Sequence, residues 1–112
     1  MPFAINETVD TSGIARVTME GELDLAAVPI VHDHIGTHIA SDAVAEVMVD
    51  LSALTFMDSS GIAALIGCLR KANACGKTFR VTNAHGWVRE VLDLTNVTAL
   101  LTAGQSTPWG QN

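Results

Sequence analysis

Few residues in this 112-residue chain have side chains suited to chemistry, and the most suggestive group is Asp58-Ser59-Ser60-Gly61. It follows the apolar, partly β-branched segment Val47-Met48-Val49-Asp50-Leu51 and precedes Ile62-Ala63-Ala64-Leu65-Ile66, where a helical period begins. Asp and Ser at a strand-to-helix junction accept from backbone N–H groups that lack an intrahelical partner. A helix start also suits a phosphate. The serines therefore either cap the helix or also carry a switch. A nucleophilic serine would need a base, and the flanks do not form a G-x-S-x-G elbow. None of His32, His34, His38 and His85 stands at a spacing that marks that base.

Other combinations point to simpler roles. His34 and His38, four apart, could share a helix face and hold a metal, but no His-Glu-x-x-His pattern or third ligand accompanies them. A solvated helix face is the plainer reading. Glu22 and Asp24 could form a carboxylate pair, yet Asp24 reads more simply as a helix cap and Glu22 as an exposed loop charge. The glycines form neither a Walker loop nor a dinucleotide fingerprint. The residues thus predict no enzyme, no metal and no cofactor.

These groups must be held by elements, and the pattern supplies them. Phe3 to Val9 reads as a strand, Asp10-Thr11-Ser12-Gly13 as a turn and Ile14 to Glu20 as an alternating strand, together an antiparallel hairpin. Gly21-Glu22-Leu23-Asp24 then reads as a loop into a helix from near Leu25 to about Ala40, with Pro29 early and a stripe of Val28, Val31, Ile35 and Ile39. A strand at Val44 to Leu51 leads to the central motif and a helix from Ser60 to about Ala74, striped by Ile62, Leu65, Ile66, Leu69 and Ala72. Gly76 suits a left-handed terminator. Thr78 to Thr82 is a strand, Trp87 to Leu94 a short amphipathic helix capped near Asn96, and Val97 to Leu101 suits a last short strand. The Gly, Ser, Gln and Pro of 104–112 read as a flexible tail carrying Trp109, which leaves 1–103 as one domain.

Strands alternating with helices give an α/β fold. Here it is a mixed four- to five-stranded sheet with an N-terminal hairpin, flanked by helices. Functional loops then gather beyond the carboxyl ends of the parallel strands, so Gly21-Glu22-Leu23-Asp24 and Asp58-Ser59-Ser60-Gly61 belong on one rim.

Composition narrows the partners. A net charge of −6, from six basic and twelve acidic residues, disfavours nucleic acid. With 48% hydrophobic and 16% charged residues the chain is predicted to be globular. No basic-then-apolar leader and no membrane-length apolar run is present in the sequence, so a cytoplasmic protein is expected. Cys68 and Cys75, seven apart on a predicted helix, are separated by roughly 10 Å of rise and read as reduced thiols packed as small hydrophobes.

Gly21-Glu22-Leu23-Asp24, then Val49-Asp50-Leu51 with Phe56-Met57-Asp58-Ser59-Ser60-Gly61-Ile62, resembles the STAS domains of bacterial anti-sigma-factor antagonists. Val91-Leu92-Asp93-Leu94-Thr95-Asn96-Val97 is similar to a stretch near the end of those domains, and the resemblance spans about Phe3 to Leu101. It implies a mixed sheet flanked by helices and phosphorylation of Ser59 by a partner that is both serine kinase and anti-sigma factor. It further implies a phosphatase that resets Ser59, and a docking face of Glu22, Asp24, Asp58, Ser59, Ser60 and Gly61. Two departures stand out: Asn96 and Ala63 occupy positions where the family usually has glycine. A soluble single-domain antagonist fits best. The alternative is a structural STAS subunit of a stressosome or lipid-transport complex, with Ser59 serving as a cap.

Overall fold

The computed structural model describes residues 2–94. Strands β1 (Ala4–Val9) and β2 (Ile14–Leu23) form the expected antiparallel hairpin, with Val9 opposite Ala15 and Ala4 opposite Glu20. Asp10 explains the turn: its Oδ1 accepts from the Ser12 and Ile14 amides at 2.9 and 3.1 Å, while Gly13 takes φ +88°. Strands β3 (Glu46–Met57) and β4 (Thr78–Thr82) follow in parallel, giving a four-stranded mixed sheet in the order β1-β2-β3-β4.

Both β2 and β3 run further than the alternation predicts. Gly21-Glu22-Leu23 is the end of β2 rather than a loop, and β3 continues past Leu51 to Met57. Between Thr18 and Glu20, and again between Gly21 and Glu22, β3 spends one more residue than β2, so Thr18 faces Asp50 but Glu20 faces Ala53. Such bulges break the strict period of two that sequence reading relies on. Gly21, at φ +86°, sits at one of these irregularities, which is why it resembles a turn residue while remaining in the sheet.

The helices are α1 (Val28–Ala40), α2 (Ser59–Ala74) and α3 (Gly86–Leu94). A 3-10 turn at Leu25–Ala27 precedes α1, so Pro29 falls at the start of the α-helix proper. That position has no intrahelical acceptor for the missing N–H. Inward residues of the strands (Val17, Met19, Val47, Val49, Phe79, Val81) meet Val31, Ile35 and Ile39 of α1 and Leu65, Leu69 and Ala72 of α2 in one core. Burying each large side chain is worth about 1.5–3 kcal/mol, against about 1 kcal/mol for a helix cap. Packing therefore sets the fold, and the caps set where its helices begin. Asn96, the strand expected at 97–101 and the tail of 104–112 with Trp109 and the 103/104 boundary lie outside the described residues.

Candidate functional site

The two strand-to-helix junctions are built alike. Leu23 and Met57 end neighbouring strands and are register partners, and each is followed by an Asp in the same extended conformation: Asp24 at φ −115°, ψ −172° and Asp58 at φ −115°, ψ −171°. Both act as N-caps. Asp24 accepts from the Ala27 amide at 3.3 Å, and Asp58 Oδ1 accepts from Ser60 at 2.9 Å and Gly61 at 3.2 Å. The Asp58 amide donates to the Leu23 carbonyl at 3.4 Å, tying one junction to the other.

Gly61 closes the gap further. A Cβ there would stand 2.6 Å from the Leu23 oxygen and 2.9 Å from Met57 Cγ, so only glycine lets the first turn of α2 settle against the end of β2. Ser59, the first residue of α2, is exposed; Ser60 is half-buried and Gly61 buried. The expected rim therefore exists, with Asp24, Asp58, Ser59, Ser60 and Gly61 brought together by backbone contacts.

Glu22 differs from expectation. It is a half-buried strand residue opposite Phe56 rather than an exposed loop charge, because the bulged end of β2 still pairs there. With Asp24 it borders a notch of about 400 Å³ walled by Phe3, Ala27 and Ile30. Phe3 and Ile30 were not legible as site residues, since an apolar side chain at an element's end looks like ordinary core edge. Leu25, beside Asp24, is 71% exposed.

The histidines stand elsewhere. His34 and His38 do not lie on a solvated face: His34 Nδ1 and His38 Nε2 each hydrogen-bond one carboxylate oxygen of Glu7 on β1. Among the described residues no group of His, Cys, Asp and Glu is arranged to hold a metal ion. His32 is exposed and lies over Gly67 of α2, and the His85 ring Nε2–H donates to the Ser52 carbonyl at 2.7 Å. Cys68 is buried as expected, but Cys75 is exposed at the carboxyl cap of α2, because the helix has already ended at Ala74.

Known proteins resemble this arrangement over most of the chain. The family model of the STAS domain matches residues 6–107. An anti-sigma-B factor antagonist of Staphylococcus aureus is 24% identical over 101 residues, covering 90% of this chain and 93% of the relative. Among solved structures, an anti-sigma factor antagonist from Mycobacterium paratuberculosis is 27% identical with a TM-score of 0.73, covering 88% of this chain and 83% of the other. The Bacillus cell fate determinant SpoIIAA in its phosphorylated form is 26% identical with a TM-score of 0.70, covering 88% of each chain.

Proposed function

This chain belongs to the STAS domain family, and on that premise we propose that it is an anti-sigma-factor antagonist switched off by phosphorylation of Ser59. The observation that carries the reading is the division of labour at the start of α2. Asp58 caps the helix by accepting from the Ser60 and Gly61 amides, so the exposed Ser59 hydroxyl has no part in the cap. A hydroxyl that is accessible, structurally dispensable and seated on a helix start is chemically suited to accept a phosphoryl group. This favours the switch over the scaffold reading, in which Ser59 would serve the helix end. The relatives named as anti-sigma factor antagonists, and SpoIIAA described in a phosphorylated form, support the same direction.

In this reading the unphosphorylated rim, with Glu22, Asp24, Asp58, Ser59, Ser60 and Gly61, docks on an anti-sigma factor that is also a serine kinase, and the sigma factor is released. Phosphorylation adds about −1.5 to −2 charges. The N-terminal end of α2 tolerates that charge with a gain of about 0.3–1 kcal/mol. A partner surface matched to the neutral hydroxyl and the neighbouring carboxylates meets added bulk and excess negative charge, so the complex separates. A phosphatase restores Ser59. The chain supplies the acceptor and the surface, and the phosphoryl transfer belongs to the partner. Cytoplasmic operation completes the proposal; no described helix is long and apolar enough to cross a membrane.

The test is incubation with ATP and the cognate kinase-type anti-sigma factor, followed by mapping of phosphate by mass spectrometry. Phosphate on Ser59, its absence in Ser59→Ala with binding retained, and weakened binding by Ser59→Asp are expected. An unmodified Ser59, or undiminished binding by Ser59→Asp, overturns the reading.

A further inference from the structure

One cluster of titratable side chains takes no part in the docking rim. Glu7 of β1 accepts from His34 on one carboxylate oxygen and from His38 on the other, both donors lying one turn apart on α1. The site is partly enclosed, with His38 13% and Glu7 26% exposed. Among the described residues β1 is an edge strand paired only with β2, and besides the packing of Phe3 and Ile5 on the core the Glu7 bonds tie it to α1.

The charged surroundings are sparse. Arg16 of β2 borders the groove of the open sheet face that Glu7 also borders, and it pairs with Asp10 at 3.6 Å. His32 and Asp33 of α1 are exposed, and Lys71 of α2 reaches Gly36 of α1. The 95–112 segment contains no Asp, Glu, Lys, Arg or His. Burial raises the Glu7 carboxyl, and the hydrogen bonds and charges of His34 and His38 outweigh it, leaving the carboxyl below its ordinary value.

We propose that Glu7, His34 and His38 form a proton-operated latch that holds the edge strand β1 against α1, tight when the imidazoles are charged and looser as they lose their protons. A neutral imidazole still donates one N–H, but a charge-assisted bond to carboxylate is roughly twice as strong. Imidazoles generally titrate near ~6.5, so the latch works across neutral pH. The sign follows from the partners. A contact that favours charged histidine contributes stability below the imidazole range and loses it as pH rises through that range. The Glu7 side fails only at the acid end, as pH falls through its lowered carboxyl value. Because Phe3, next to β1, and Ile30 of α1 wall the notch that holds Glu22 and Asp24, the latch also fixes two walls of that notch relative to each other.

The full chain tests this by NMR from pH 5.5 to 8.5, as wild type and as Glu7→Gln. The latch predicts that β1 amide protection factors, relative to those of β3, fall about threefold or more with rising pH in wild type and stay level in Glu7→Gln. His38→Gln serves as a second variant and should flatten the same profile. The same pH dependence of β1 protection in wild type and both variants would overturn the latch.

Discussion

Gly61 and Leu23 meet across the two strand-to-helix junctions with no room for a side chain: a Cβ on Gly61 would lie 2.6 Å from the Leu23 carbonyl oxygen and 2.8 Å from Leu23 Cγ. The Leu23 oxygen also receives the Asp58 amide, so it is fixed from two directions and cannot yield easily. Gly61→Ala should therefore destabilise the fold by about 1–3 kcal/mol, as overpacking does. This holds although alanine is the better helix former by about 1 kcal/mol. Urea unfolding reads the change directly. A Gly61→Ala protein as stable as wild type would mean that the two junctions are less tightly joined than described.

The caps give a prediction that separates support from switching. Asp58→Ala removes the acceptor of the Ser60 and Gly61 amides and should lower stability by about 1 kcal/mol, within a range of about 0.5–2. Ser59→Ala, at an exposed position outside the cap, should change stability by less than about 0.5 kcal/mol. Paired denaturant curves compare them. A Ser59→Ala loss equal to that of Asp58→Ala would make Ser59 a structural residue first.

Much of this arrangement could be read from the residues alone. The fourth strand falls at Thr78–Thr82 as the β-branched run indicates, and α1 ends at Ala40 where Ser41-Asp42 interrupts the apolar stripe. The shared rim followed from two segments that each follow a strand and precede a helix. What escaped was non-local. The bulges opposite Thr18–Glu20 and Gly21–Glu22 depend on how β3 pairs with β2, so Glu22 looked like a loop residue. The partner of His34 and His38 lies 27 and 31 residues upstream on another element, beyond any local spacing rule. Gly61 was legible as part of the motif, but its reason, the Leu23 oxygen, was not.

Acid should act through Asp50 as well as Glu7. Burial alone would push the Asp50 carboxyl up, but hydrogen bonds from the Ser52 amide at 2.8 Å, the Ser52 hydroxyl and the Asn83 side chain hold it below its ordinary value. A carboxyl lowered in the folded state contributes stability above its unfolded value and loses it as pH falls through the folded one. Stability should thus decline below about pH 4. Asp50→Asn should decline less steeply while being less stable at pH 7. Unfolding curves taken at pH 7, 4 and 3 compare the slopes, and identical slopes for wild type and variant would exclude Asp50 as a contributor.

The two cysteines, alike in a helical reading seven residues apart, should behave as different chemical species. Burial pushes the Cys68 thiol up to about 11, against a smaller downward pull from Lys71, whereas Cys75 lies past the end of α2 and is exposed. The thiolate is the reactive form, and at pH 8 about one Cys68 in a thousand would carry it even if reagent could reach the core. An aromatic disulfide reagent should therefore label one thiol rapidly in the native chain. The second should react only at the rate at which α2 opens, and both should react at once in denaturant. Cys75→Ser should abolish the fast phase and leave the slow one, while Cys68→Ser should do the reverse. Two fast phases in the native wild type would place Cys68 nearer the surface than its packing beneath the helix allows, and with it the assignment of the inward face of α2.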